Sequence, residues 1–353
     1  PVMTYPCFAD PNAPTRALHA IASADLAAFL DAAAPAHRAW VQASGFQAGL
    51  GEVCLLPAAD GQVAAAVLGL GTPQARARSR FGAVKNLAAL PAVAWALQGA
   101  TDADQAREIA LGWLMSQYRF DRYRPGKKAA DLPLLACPAG VDAARLIAMA
   151  QAEFLTRDLI NTPAADMGPA ELEAAFLSLA QAYGAQTQVV RGDALISQGF
   201  PLVHAVGRAS PRAPRIMEMR WGTKGPALTL VGKGVCFDTG GLNIKPSAGM
   251  NLMKKDMGGA ATVMGLAQMI MALNLPLRLR VIVPAVENVI DGNALKPKDI
   301  LTTRKGLTVE VNDTDAEGRL ILSDALAWAD EEKPDLIISC LLYTSPSPRD
   351  QRG

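Results

Sequence analysis

Between residues 170 and 339 the chain alternates short apolar runs with segments of helical period, and that alternation constrains the fold more than any other feature. The runs TQVV, LVHAVG, RIMEMRW, ALTLVGKGV, LRLRVIVPAV, GLTVEV and DLIIS read as strands. LEAAFLSLAQAYG, GAATVMGLAQMIMAL and RLILSDALAWADEE carry apolar residues at helical spacing and read as helices. Apolar strands separated by helices predict a mostly parallel or mixed sheet covered on both faces. In such sheets a ligand site gathers beyond the carboxyl ends of the strands.

The preceding half, from about residue 20 to 137, repeats the alternation more weakly. ADLAAFLDAA, RFGAVKNLAAL and AREIALGWLMSQYRF read as helical, and GEVCLLPA, VAAAVLGLG and LPLLACP as short apolar runs. No cluster of chemical residues stands among them. Pro, Gly and charge in YRPGKKAADLP (123 to 133) place a domain boundary shortly after it. A helix is predicted from Asp142 to Ile160, closed by NTP at 161 to 163, because the residue before Pro163 is pushed out of helical geometry. The expected architecture is two α/β domains, 1–138 and 139–339, each a mostly parallel or mixed sheet flanked by helices.

Charge excludes one class of partner. With 34 basic and 33 acidic residues, net charge +1, no field of one sign marks nucleic acid or an anionic membrane as the main partner. The arginines of QARARSRFG (74 to 82) read as a solvated face. Five cysteines without a CxxC spacing argue against a disulfide framework and for a reducing, cytoplasmic setting. PVMTYPCFAD lacks the features of a secretory signal, and no run of roughly 18 apolar residues is present to span a bilayer, so a soluble protein is expected.

Three loops carry the chemistry. ALTLVGKGV runs into FDTGGLNIKP, placing Asp238 between Lys233 and Lys245 where the backbone must turn tightly. MKKDMGGAA supplies Asp256, and VNDTDAEGRL, after GLTVEV, supplies Asp313, Asp315 and Glu317. Each carboxylate alone would pass as a turn residue or a helix cap, Asp256 as an N-cap for instance. Converging on strand ends of one sheet, they would repel one another unless a hard cation neutralised them. Competing chemistries have less support: GxxxxGK(S/T), GxGxxG and GxSxG are all absent. His19, His37 and His204 show no ligand spacing, and Cys236 reads as a small packing residue.

VGKGVCFDTGGLNIKP, MKKDMGGAA and NDTDAEGRL resemble the three signature loops of the leucyl (cytosol) aminopeptidase family, two-metal exopeptidases that are typically homohexamers. RDLINTPAADMGP (157 to 169) resembles the start of that family's catalytic domain. The similarity spans roughly 140 to 339, while the N-terminal half matches only in general architecture. It implies metal-dependent removal of amino-terminal residues from peptide substrates. Carried over by position, Lys233, Asp238, Asp256 and Glu317 become ligands of a tighter metal, and Asp238, Asp315 and Glu317 of a more exchangeable one. Lys245 and Arg319 become catalytic cations that do not touch metal.

On that pattern Lys233 must ligate as a neutral amine, whereas Lys245 stays charged and polarises the scissile carbonyl. The resemblance further implies a bicarbonate ion held at Arg319 as general base, and Met253 as a lining of the substrate pocket. A carboxylate-rich, lysine-containing site admits manganese, zinc or magnesium. One departure stands out: the family often reads DNTDAEGR, and here Asn312 and Asp313 are exchanged. The alternative is a non-catalytic binding or assembly protein that keeps the fold, a DNA-associated role some family members also perform. Retention of every functional position disfavours it.

The family continues beyond DLIIS with more of its catalytic domain. Here CLLYTSPSPRD (340 to 350) follows, a Pro/Ser-rich stretch that matches the translation of a common sequencing adapter. Residues 340–353 are therefore expected to be adapter read-through, and the 353-residue chain by itself to be inactive.

Overall fold

Residues 5–99, 102–124 and 132–341 are described in the computed structural model. In chain order the first part contains β1 (Thr15–Ala22), α1 (Leu26–Ala32), α2 (Pro35–Ala43), β2 (Val53–Pro57), β3 (Val63–Gly71), α3 (Pro73–Arg78), β4 (Ala94–Gln98), α4 (Ala103–Ser116), β5 (Leu134–Leu135) and α5 (Ala143–Asn161). Two units separate within α5, Pro1–Gln151 and Ala152–Gly353.

The first unit is built on a five-stranded sheet in the order β2-β3-β1-β4-β5, with only β2 antiparallel to its neighbour. Strand periodicity explains why β3 is apolar throughout. Ala66, Leu68 and Leu70 join a core with Trp95, Trp113 and Leu114, while Ala65 and Val67 face Val41, Phe46 and Leu56 on the other side. Two strands were illegible in the sequence, the central β1 (TRALHAIA) and β4 (AWALQ), because neither is a bounded apolar run. RFGAVKNLAAL is not a helix but two short 3-10 turns, Gly82–Val84 and Leu87–Ala89. There the Asn86 amide donates to the Gly51 carbonyl (2.7 Å), a tertiary contact that outweighs helical propensity.

The second unit continues with α6 (Pro169–Ala182), β6 (Gln186–Arg191), α7 (Ala194–Ser197), α8 (Pro201–Gly207), β7 (Arg215–Trp221), β8 (Ala227–Gly232), β9 (Gly234–Asp238) and α9 (Ser247–Met250). It ends with α10 (Gly258–Ala272), β10 (Arg278–Asn288), β11 (Ile300–Thr302), β12 (Thr308–Glu310), α11 (Glu317–Asp330) and β13 (Leu336–Cys340). Its main sheet runs β13-β8-β10-β7-β6, with β9 beside the far end of β10. The sheet is mixed: β8, β9 and β13 are parallel to their partners, and β7 is antiparallel to both β10 and β6.

Both faces are covered. Val281, Val283 and Ala285 of β10 pack with Phe176 of α6 and Met264 of α10, and the intervening Ile282 and Val286 pack with Ile321 and Ala325 of α11. An ion-pair network stitches α6 to the antiparallel edge, where buried Glu173 pairs with Arg215 (2.6 Å) and Arg191.

LVHAVG, read as a strand, is the helix α8. Pro201 opens it, and the buried Asp324 carboxylate on α11 accepts from the Leu202 N–H at 2.7 Å. A cap delivered from more than a hundred residues away cannot be read from six apolar residues. The small hairpin of β11 and β12 stands outside the main sheet, so the three acidic loops do not all leave one sheet as the sequence suggested. Among the described residues no helix is long and apolar enough to cross a membrane. Most of the proposed boundary segment (125 to 131) and residues 342–353 of the proposed read-through lie outside the described residues.

Candidate metal centre

Lys233 occupies the break between β8 and β9. β10 pairs with β8 as far as Val231 and resumes with β9 at Gly234. The Lys233 N–H instead donates to the Cys340 carbonyl (2.9 Å), and its carbonyl accepts from Ala260 (2.8 Å). Held by its backbone on both sides, the side chain places Nζ 2.8 Å from Asp256 Oδ2 and 2.8 Å from Glu317 Oε1. Gly318 makes room for it, since a Cβ there would lie 2.6 Å from Lys233 Cε and 2.7 Å from Nζ.

Asp238 is the last residue of β9, and its Oδ1 accepts from the Gly240 N–H at 2.8 Å. Gly240 (φ +88°) and Gly241 (φ +64°) adopt the left-handed backbone that returns the chain so that Lys245 faces the strand end. Lys245 Nζ lies 2.9 Å from Asp238 Oδ2 and also pairs with Asp315. Beside Lys245 opens a cleft of about 400 Å³ lined by Phe237, Ile244, Ser247, Met250 and Asn251. Met253 is half-buried in the turn Met253–Met257 and does not line that cleft.

Asp256 lies in the same turn, 5 % exposed, and spends its carboxylate on Lys233 rather than on capping α10. Glu317 is the first residue of α11 and 1 % exposed. Asp315 precedes it in a 3-10 turn, Thr314–Ala316, that Asp313 caps by accepting from the Asp315 N–H (2.9 Å). The exchange of Asn312 and Asp313 therefore has a structural outlet, because Asn312 is exposed and accepts from Lys298. Arg319, also in the first turn of α11, is exposed and forms no ion pair or hydrogen bond among the described residues.

The sequence reading missed three polar residues. Asn288 ends β10, 4 % exposed, and its Nδ2 donates to Asp238 Oδ1 (2.9 Å) and to the Thr314 carbonyl (3.0 Å). Asn243 Oδ1 accepts from the Thr314 N–H (2.9 Å), and Thr314 Oγ1 donates to the Gly240 carbonyl (2.6 Å). These bonds tie the lysine-bearing loop to the Asp315–Glu317 loop. The available signal was position: Asn288 follows a long apolar run, at a strand end where such sites gather.

Within the protein's own charges the cluster is over-acidic. Asp238, Asp315 and Glu317 each offer an oxygen within 4.8 Å of the others. With Asp256 they make four carboxylates against two ammonium groups. Burial pushes Glu317 up to about 7, with Asp238 and Asp256 adding to it against the pull of Lys233. Burial likewise raises Asp256 and Asp315, and Asp238 adds to both. Burial opposes the charge of Lys233, yet Glu317 and Asp256 outweigh it and raise its pKa. Lys245 is raised in the same way, burial being overcome by Asp315 and Asp238.

Asp256 Oδ2 and Asp315 Oδ1 are buried and, beyond their ammonium contacts, receive no well-aligned hydrogen bond. Excess buried carboxylate with spare oxygens is a donor set suited to hard divalent cations. No histidine shares it: His19 lies against Phe29, His37 contacts the Pro57 carbonyl and His204 contacts Asp193. Cys236 is packed in the core, 1 % exposed.

Known proteins resemble this chain over most of its length. The family model described as "Cytosol aminopeptidase family, catalytic domain" matches residues 154–344, and the N-terminal domain model of the same aminopeptidases matches 17–138. A "Probable cytosol aminopeptidase" of Leifsonia xyli subsp. xyli is 37% identical over 315 residues, covering 86% of this chain and 63% of the relative. A relative of the same description from Geobacter sp. (strain M21) is 38% identical over 249 residues, covering 67% of this chain and 51% of its own length. The chain thus spans less than two thirds of these relatives.

The crystal structure of cytosol aminopeptidase from Coxiella burnetii superposes with a TM-score of 0.86 at 40% identity, covering 92% of this chain and 70% of the other. The bottromycin maturation enzyme BotP in complex with Mn superposes at 0.81 and 34% identity, covering 94% and 72%. On the family match, the level of identity and the shared fold, the chain belongs to the cytosol aminopeptidase family.

Proposed function

We propose that this chain forms the dinuclear metal centre of an aminopeptidase that removes amino-terminal residues from peptides. The observation that carries the reading is the convergence of Asp238, Asp315 and Glu317 within 4.8 Å, interleaved with Lys233 and Lys245. Lys233, Asp238, Asp256 and Glu317 would hold one divalent cation, and Asp238, Asp315 and Glu317 the other. Such a pair, when bound, supplies a water acidified toward hydroxide and a Lewis acid for the carbonyl.

The protein's own groups do the rest. Lys245, charged and partly buried beside the cleft, donates to the oxygen on which negative charge develops. The carboxylates orient a substrate ammonium, so a free amino terminus is favoured over a blocked one. Arg319, exposed and uncommitted among the described residues, is the group for a small anion such as bicarbonate serving as general base. Manganese is the first ion to test, because the BotP relative was solved in complex with Mn.

The test uses a chimera in which this chain through Ser339 is joined to the part of the Leifsonia xyli relative lying beyond the aligned stretch. Hydrolysis of leucine p-nitroanilide should be abolished by a chelator and restored by Mn²⁺. A chimera that binds Mn²⁺ but leaves the amide intact would favour the non-catalytic binding role. One that binds none would refute both halves of the proposal.

A further inference from the structure

The Asn288 carboxamide nitrogen faces three oxygens from two segments, the end of β9 and the turn that opens α11. Asp238 Oδ1 at the end of β9 is 2.9 Å away, the Thr314 carbonyl 3.0 Å, and Glu317 Oε2 at the start of α11 3.5 Å. Its two hydrogens satisfy the two near oxygens and leave the third in electrostatic reach. An environment of acceptors alone fixes which end of the amide is nitrogen, since the opposite orientation would set oxygen against oxygen. The backbone of the same residue grips the loop as well, its carbonyl accepting from the Thr239 N–H (2.9 Å) and Oγ1 (3.0 Å).

A residue that only tied β10 to the next loop would need the Thr314 carbonyl and nothing else. Asn288 instead reaches the two carboxylates that the proposed function assigns to both cations. It does so with a neutral donor. A lysine or arginine in its place would cancel a charge and compete with a cation, whereas an amide fixes the Asp238 rotamer and leaves the negative charge intact.

We propose that Asn288 is a positioning residue of the metal centre, holding the Asp238 carboxylate directly, and Glu317 through the Thr314 carbonyl of the turn that leads into it, in the orientation in which their remaining oxygens serve cations. The inference rests on the cation-binding reading above. Asp238 shows the division of labour: Oδ1 is committed to Asn288 and the Gly240 N–H, and Oδ2 is directed to the Lys245 side. Nothing else buried at the site donates from a neutral side chain to either carboxylate among the described residues.

The experiment uses the 353-residue chain and needs no turnover. Mn²⁺ binding is followed by the electron paramagnetic resonance of free Mn²⁺, and Co²⁺ by its visible absorption, in wild type, Asn288→Ala and Asn288→Ser. Asn288→Ala should keep the circular dichroism of wild type, bind Mn²⁺ about 10- to 100-fold more weakly and shift the Co²⁺ band. Asn288→Ser, which restores a neutral donor, should recover part of the affinity.

Equal Mn²⁺ affinity and an unchanged Co²⁺ band in Asn288→Ala would overturn the inference while leaving cation binding intact. Were the variants unfolded, wild type labelled with ¹⁵N-asparagine gives the answer. The Asn288 side-chain amide should shift when diamagnetic Zn²⁺ is added, and an unmoved signal overturns the proposal. Wild type that takes up no cation defeats the cation-binding reading and this inference together.

Discussion

Gly318→Ala should damage the site without dismantling the fold, and its size can be worked from the packing around Lys233. The added methyl would sit 2.6 to 2.7 Å from Lys233 Cε, Cδ and Nζ. Ordinary carbon contacts begin near 3.5 Å, so the end of the lysine must withdraw by about 1 Å. Overpacking of this kind costs about 1–3 kcal/mol, and the better helix propensity of alanine returns up to about 1 kcal/mol in α11. A net loss of up to about 3 kcal/mol lowers the melting temperature of a unit this size by up to about 12 °C.

The functional effect should be larger. Lys233 Nζ leaves its 2.8 Å contacts with Asp256 and Glu317, and Mn²⁺ affinity should fall about tenfold or more. Differential scanning fluorimetry with and without Mn²⁺ reads both quantities. Gly292→Ala is the control, since nothing lies within 4 Å of a Cβ there, and it should stay within about 0.5 kcal/mol of wild type. Gly318→Ala with wild-type melting and wild-type Mn²⁺ affinity would refute the claim that this glycine exists to admit the lysine.

The two lysines should separate in the same assays. Lys233→Arg should impair metal loading because guanidinium cannot lose its proton to become a ligand, whereas Lys245→Ala in the chimera should keep most of its metal while turnover falls about 10²- to 10³-fold; equal metal loss in both would overturn the division. A third prediction concerns acid. Burial works against the Glu173 charge, but hydrogen bonds from Arg191 and Arg215 hold its pKa below the ordinary value. A depressed folded pKa contributes stability above the unfolded value of about 4.3 and loses it as pH falls through the folded one. Urea midpoints at neutral and acid pH should therefore converge in Glu173→Gln relative to wild type, and an unchanged acid slope would count against this pair.

Much of the second unit was legible because its strands are mostly apolar runs and its helices carry apolar residues at helical spacing: β7, β10, α10 and α11 each appeared in the sequence as a run of the right period. What failed was local pattern decided from a distance. α8 depends on Asp324 for its first turn, and RFGAVKNLAAL depends on contacts with the Gly51 loop. At the site, the charged residues were visible because like charges on strand-end loops are conspicuous. Asn243, Asn288 and Thr314 were not, since a neutral amide or hydroxyl carries no anomaly until its partners are known.

The same contrast applies to β8 and β9, which read as one strand. The interruption at Lys233 is made by the Cys340 carbonyl on one side and the Ala260 N–H on the other, and neither partner is near in sequence. That interruption is what turns the lysine toward the carboxylates.

Metal content and hydrolysis measured together on the chimera, wild type against Glu317→Ala, test the central claim most directly. Glu317 is shared by both proposed cation sites and contacts Lys233 at 2.8 Å. The account predicts two bound Mn²⁺ per wild-type chain with chelator-sensitive release of p-nitroaniline, and the loss of metal and activity together in Glu317→Ala. A Glu317→Ala protein that retains two Mn²⁺ per chain and near-normal turnover would contradict it.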